Sequence, residues 1–93
     1  MLSTIIEAIA SHEGIDVDDL LGQKRSANIA VPRQLVMYLL RTYNEISLPQ
    51  IGELLGGRDH TTIMYGIKKV NDSEKLRKRA ERIWRELAQP VSV

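Results

Sequence analysis

The apolar residues of this chain recur at helical intervals almost from end to end. In residues 2–14, Ile5, Ile6, Ile9 and Ala10 share one face, with Ser3 placed to cap the start and Gly14 to stop it. The run DVDDLLG, 16–22, reads as a short helix opened by Asp16 and closed by Gly22. A polar, basic and aperiodic loop, QKRSANIAV at 23–31, separates it from Pro32. Proline suits the first turn of a helix, where its fixed φ fits and its missing N–H is no loss. The helix it opens, about 32–45, carries Leu35, Val36, Leu39, Leu40 and Tyr43 as its buried stripe and is apolar enough to be the central element.

Ser47 then caps a short helix, with Pro49 early in it and Ile51, Leu54 and Leu55 facing inward. Gly56 and Gly57 end it, because glycine accepts the left-handed conformation that closes a helix. Asp59 is placed to cap the next helix, whose Ile63, Ile67 and Val70 are spaced i, i+4, i+7. The last helix, about 74–89, buries Leu76, Ala80, Ile83, Trp84 and Leu87, and Pro90 ends it. Its other face carries Lys75, Arg77, Lys78, Arg79, Arg82 and Arg85. No alternating strand pattern, internal repeat or low-complexity tract interrupts this series. The expected fold class is all-α, about six helices in one domain spanning 1–93.

Composition narrows the setting. Ninety-three residues, 43% of them apolar, make one small domain with enough apolar material for one core. There is no cysteine, so neither disulfides nor thiolate metal sites are expected. No apolar run approaches the ~20 residues of a membrane span. The start, MLSTIIEAIA, lacks the basic region of a signal peptide and carries Glu7. A soluble, cytoplasmic domain is the expectation.

The net charge of +1 conceals an asymmetry. Residues 1–22 hold five acids (Glu7, Glu13, Asp16, Asp18, Asp19) and no Lys or Arg, a net of −5. Residues 23–93 hold all 13 basic residues against the other seven acids, a net of +6. Such polarity fits an anionic partner for the C-terminal part. Basic residues also solvate helices without binding anything, and charge alone does not decide between the two.

The stretch GGRDHTT, 56–62, carries the candidate chemistry. Residues 47–70 have the length and punctuation of a helix-turn-helix, whose second helix enters the major groove of DNA by its N-terminus. The stretch would be the tip of that helix. A helix N-terminus offers N–H groups and positive potential to a phosphate, and Arg58 adds a charged donor. Asp59 can accept from a cytosine amino group, His60 can bond or stack on base edges, and Thr61 presents a methyl to thymine. Thr62 is better placed for phosphate. Tyr65, Lys68 and Lys69, away from the Ile63/Ile67/Val70 stripe, would reach the backbone.

The same residues also make an ordinary glycine stop followed by an aspartate cap. Other chemistries fit less well. An Asp–His catalytic pair needs a third group and a pocket, and no convincing nucleophile stands near. His12 and His60 are the only histidines, which leaves too few ligands for a metal site, and His12 reads as a surface residue at a helix end. A nucleotide-binding P-loop needs a G-x-x-x-x-G-K-[ST] run after a strand, and both are missing.

SLPQIGELLGGRDHTTIMYGIKKV, with PRQLVMYLLR before it and VDDLLGQKRS before that, resembles the C-terminal domain (domain IV) of the bacterial chromosomal replication initiator family, DnaA. The resemblance covers roughly residues 3–88, and GGRDHTT matches the family signature at seven consecutive positions. It implies a helix-turn-helix related to that of the Trp repressor, and sequence-specific binding of double-stranded DNA at origin boxes. The boxes would be short and asymmetric, with one monomer on each. Carried over by position, Asp59, His60 and Thr61 would face base edges and Pro49 a thymine methyl. Gln34, Arg41, Leu48, Arg58, Thr62 and Lys69 would hold phosphates. The basic loop would put Arg25 into the adjacent minor groove, where narrow A·T-rich DNA concentrates negative potential. This loop is less basic than the family's usual one; Arg25 is preferred over Lys24 as the minor-groove residue because arginine is the usual occupant of that groove.

Family members also carry an ATPase domain, and neither a P-loop nor an α/β pattern is present here. The chain therefore reads as an excised C-terminal domain or a free-standing relative, with no catalysis, no cofactor and no metal, and a nucleoid-associated place in the cytoplasm. Proteins that regulate initiation are possible further partners. Two rival expectations remain. A helix-turn-helix transcriptional regulator would dimerise on a palindrome, with a mass of about 21 kDa rather than the monomer's 10.5 kDa. A protein-interaction module would instead dock a partner, such as a replication regulator, on the basic last helix or the acidic first one.

Overall fold

The computed structural model describes residues 2–23 and 25–88. Lys24, Pro90 and the side chain of Ser3 lie outside the described residues, and so do the roles expected of them. The chain forms six helices: α1 Leu2–Glu13, α2 Val17–Leu21, α3 Ala27–Asn44, α4 Leu48–Leu54, α5 His60–Asn71 and α6 Glu74–Ala88. Among the described residues there is no strand.

The core follows the apolar stripes. Ile5, Ile6, Ile9 and Ala10 of α1, Leu20 of α2, Ile51 of α4, Leu55 just after it, Ile63 and Val70 of α5, and Ala80 and Ile83 of α6 converge on α3. In α3 six consecutive residues, Leu35 to Leu40, are buried. A helix apolar on nearly all sides must be covered on nearly all sides. Here α1, α2, α4, α5 and α6 each lie against it.

Three expectations need correction. The loop 23–31 is shorter than its composition implies. Helical order begins at Ala27, with Ser26 in an extended conformation and its carbonyl accepting from the amides of Ile29 (2.9 Å) and Ala30 (2.8 Å). Ile29, only 4% exposed, draws this first turn onto the protein, so polar spacing hid a helix that one buried residue anchors. Pro32 is therefore the sixth residue of α3, not part of its first turn. It removes the amide that would have bonded to the Asn28 carbonyl.

Tyr43 and Leu87 are the other two. Tyr43 is 37% exposed and stacks on Trp84, ring centroids 5.0 Å apart and 16° from parallel. It closes the edge of the α3–α6 contact rather than filling the core. Leu87, in the last turn of α6, is 36% exposed, and the deepest residue of that helix is Ala80 with Ile83 a turn later.

A salt bridge and two histidine contacts join the two ends of the fold. Glu13, at the end of α1, has a side chain only 6% exposed; it accepts from Arg79 of α6 and lies 2.9 Å from His12 Nδ1. His12 Nε2 in turn lies 3.3 Å from Glu86. His12 is thus an exposed residue at a helix end, as its position implied.

Candidate nucleic-acid interface

The helix-turn-helix expected over residues 47–70 is built from α4, a glycine turn and α5. Ser47 has an extended backbone, and its hydroxyl accepts from the Gln50 amide at 3.3 Å, which satisfies one of the donors that a helix start leaves over. Pro49 stands in the first turn, where a missing N–H costs nothing, and is exposed. Leu48 beside it is half-buried. Ile51 and Leu55 fix the inner face of α4 to the core.

The turn then folds back on α4. Gly56 (φ +80°) and Gly57 (φ +82°) are both left-handed, and the amides of Gly57 and Arg58 both donate to the Gly52 carbonyl, at 2.9 and 2.8 Å. Gly52 must be glycine for a different reason: a Cβ there would fall on the Arg58 carbonyl oxygen.

Asp59 adopts the extended N-cap backbone (φ −63°, ψ 145°), but its carboxylate makes no cap hydrogen bond. The expected cap position is right and the expected capping bond is absent. The carboxylate instead stays exposed, with Oδ1 3.4 Å from His60 Nδ1; the two side chains are 67% and 60% exposed. Thr61 and Thr62 are exposed as well, while Ile63 is fully buried. The tip of α5 is thus open to solvent on its polar side and fixed by Ile63 on the other.

The exposed side continues along α5. Tyr65 is 70% exposed and Met64 52%. Lys68 and Lys69 are exposed, and Lys68 Nζ lies 2.8 Å from Asp72, whose carboxylate bond and charge raise the lysine pKa. A shallow groove of about 300 Å³ runs here, lined by Tyr65, Lys68, Lys69, Asp72 and Ser73. With Lys68 paired to Asp72, Lys69 and the hydroxyls of Tyr65 and Ser73 are the donors this groove can offer to a phosphate of a duplex backbone.

The other expected contacts lie on α3 and in the segment before it. Arg25 is exposed in the segment between α2 and α3. Arg41 of α3 is exposed and donates Nη1 to the Ile46 carbonyl (3.1 Å), steadying the approach to Ser47. Gln34 is half-buried, and its Oε1 is buried without a hydrogen-bond partner.

Arg58, expected as a phosphate donor, turns inward: Nη1 donates to the carbonyls of Leu21 (3.3 Å) and Leu55, and Nη2 to that of Gly22. Burial lowers its pKa. A phosphate could reach only the N–H groups that remain. Arg33 went unnoticed in the sequence. It is 6% exposed, and it donates Nε to the Leu20 carbonyl (2.7 Å) and Nη2 to that of Asp19 (2.9 Å). Burial lowers its pKa first, and the neighbouring Arg58 charge adds to this. The available signal was an arginine directly before an apolar run, since a buried guanidinium requires several acceptors.

Residues 2–70 match the family described as bacterial DnaA protein helix-turn-helix. The chain belongs to that family. It is 46% identical over 71 residues to the chromosomal replication initiator protein DnaA of Oenococcus oeni, which covers 76% of this chain and 16% of that protein. The protein of the same name from Chloroflexus aurantiacus is 49% identical over 77 residues, 78% of this chain and 16% of its own length. That from Herpetosiphon aurantiacus is 53% identical over 68 residues, 73% of this chain and 14% of its own. The chain thus spans about one-sixth of the length of these relatives. Both the tip of α5 and the Arg33/Arg58 pair fall inside the family match, and α6 lies beyond it. No helix of the described residues is long and apolar enough to cross a membrane. Among the same residues no group of three His, Cys, Asp or Glu is placed to hold a metal.

Proposed function

We propose that this chain binds double-stranded DNA sequence-specifically and serves as the part of a replication initiator that reads short asymmetric origin boxes, one monomer to a box. The observation that carries this is the tip of α5: Asp59, His60, Thr61 and Thr62 are all exposed on a helix start held in place by buried Ile63. Side chains that serve only as a helix stop and cap would engage the backbone, and the Asp59 carboxylate does not. The family match and the replication-initiator names of the relatives support the same reading.

In this reading Asp59, His60 and Thr61 meet base edges in the major groove, Pro49 meets a thymine methyl, and Arg25 enters the neighbouring minor groove. Gln34, Arg41, Thr62, Tyr65, Lys68, Lys69 and the backbone amide of Leu48 hold phosphates and set the register. The chain does this by contact alone, without catalysis or cofactor, in the nucleoid of the cytoplasm. Proteins that regulate initiation would act on the same domain.

Selection from random duplexes, followed by sequencing of what the protein retains, tests the proposal. One enriched asymmetric motif is expected. On that duplex, Asp59→Ala and Thr61→Ala should each cost ~1–3 kcal/mol and blunt discrimination at one base pair, whereas Lys69→Ala should weaken cognate and scrambled duplexes alike. No enriched motif would refute DNA reading. A mirror-image repeat would move the function to a dimeric regulator.

A further inference from the structure

We infer that Arg58 is a positioning residue: with Arg33 it clamps the end of α2, and so ties the minor-groove segment carrying Arg25 to the major-groove tip of α5. This rests on the DNA-reading proposal above and extends it to how the two grooves are read together.

The last carbonyls of a helix lack intrahelical partners and must find donors elsewhere. At the end of α2 the Asp19 carbonyl accepts from the Gly22 amide (3.3 Å), and two guanidiniums supply the remaining donors. Arg33 of α3 takes the carbonyls of Asp19 and Leu20, and Arg58 of the reading turn takes those of Leu21 and Gly22. Four consecutive carbonyls, 19 to 22, are therefore held by one arginine from the central helix and one from the turn that opens α5. Arg58 also bonds the Leu55 carbonyl, so its own end of the link is tied to the end of α4. The backbones themselves meet here: a Cβ on Gly56 would collide with the Leu21 carbonyl oxygen.

Arg25 follows three residues after Gly22. Three residues span at most ~11 Å, so the clamp limits where Arg25 can stand relative to Asp59 and His60. Two cations held side by side repel each other and lose hydration, and a phosphate-binding role gives no reason to turn Arg58 inward. Fixing the offset between two grooves does.

The fork is what the clamp needs. Lysine keeps the charge, but its three N–H groups radiate from one nitrogen on a flexible stem and lack the planar two-nitrogen fork that spans Leu21, Leu55 and Gly22. If Arg58 acted as a phosphate contact, Arg58→Lys would preserve most of the affinity. If it positions Arg25, Arg58→Lys should weaken binding on the order of tenfold, about the value of one good groove contact.

The test is a double-mutant cycle on the duplex that the wild-type chain enriches from a random pool, at a temperature where circular dichroism shows every variant folded. Arg25→Ala is expected to lose about tenfold in the wild-type background and less than about twofold in the Arg58→Lys background. Wild-type affinity for Arg58→Lys, or a full tenfold loss from Arg25→Ala in both backgrounds, would overturn the clamp. Failure of the wild-type chain to enrich any duplex would instead defeat the reading on which the clamp rests. Should Arg58→Lys not fold, native-state hydrogen exchange of the wild-type chain decides: the amides of Leu20 and Gly22 should open together with those of Gly57 and Arg58 at every urea concentration. Independent opening of the two sets would overturn the link.

Discussion

Replacing Gly52 by alanine adds one methyl group to α4 and tests whether the reading turn is fixed by close backbone approach. Two effects oppose each other. In an ordinary helix interior the change would stabilise by ~1 kcal/mol, because alanine is the better helix former. Here the new Cβ would fall on the Arg58 carbonyl oxygen, 3.2 Å from its carbon and 3.8 Å from Ile63 Cγ1. The obstructing atom is backbone, held by the amides of Gly57 and Arg58 bonding to the Gly52 carbonyl. Relief must move the turn and weaken both bonds, each contributing ~0.5–1.5 kcal/mol, on top of ~1–3 kcal/mol for overpacking. With the propensity gain subtracted, the expected net loss is about 1–5 kcal/mol, or roughly 5–25 °C in Tm for a domain of this size. Urea unfolding followed by circular dichroism measures it. Gly66→Ala in α5 is the comparison, because its Cβ would meet side chains, the buried Met37 thioether and Gln34 Cγ, rather than backbone. Side chains can repack where a hydrogen-bonded carbonyl cannot, so that variant should lose less than Gly52→Ala. If Gly52→Ala is as stable as Gly66→Ala, the argument from the Arg58 carbonyl is wrong.

Three further outcomes are expected. Ser47→Ala, which removes the acceptor for the Gln50 amide, should cost ~1 kcal/mol in urea unfolding, whereas Asp59→Ala should cost under ~0.5 kcal/mol because its carboxylate caps nothing. Equal losses would show that the Asp59 side chain does cap α5 in solution. Affinity for the enriched duplex, measured by fluorescence anisotropy from low to high salt, should fall by ~0.9 in log K per unit of log salt for each phosphate held, and Lys69→Ala should reduce that slope by about one contact. An unchanged slope would remove Lys69 from the phosphate set. Glu13→Gln leaves Arg79 and His12 without their shared carboxylate and should destabilise by ~1–2 kcal/mol at low salt, with part of that effect lost at high salt; a salt-independent loss would trace the effect to packing.

What the sequence showed and what it hid differ by range. The stops at Gly14, Gly22 and Gly56–Gly57, the Ser47 cap and the buried stripes of α1, α4 and α5 are local facts, written within a turn or two of the residues concerned. The start of α3 was hidden because Asn28 and the small Ala27 and Ala30 give no periodic signal, while the buried Ile29 supplies the anchor. Tyr43 looked buried because its spacing matches Leu35 and Leu39, and spacing cannot tell that a tryptophan on another helix covers only one ring face. The exposed tip of α5 was legible, since polar residues on a helix whose other face is apolar have nowhere else to point. Arg58 was legible as a cation and illegible as a clamp: its acceptors Leu21 and Gly22 lie 37 and 36 positions away, and only the folded chain brings them near. Arg33 was overlooked for the same reason.

The family's shared segment ends at residue 70, but the cooperative unit does not. Ala80 and Ile83 of α6 are as deeply enclosed as any residue of the shared segment, and the Arg79 guanidinium neutralises a carboxylate that has almost no access to water. A fragment cut at residue 70 would keep every side chain proposed to meet a base edge. It would also bare the flank of α1 and α3 and strand Glu13, so such a fragment should bind poorly for want of a stable scaffold. The boundary for recombinant work on this domain is therefore the end of the last helix.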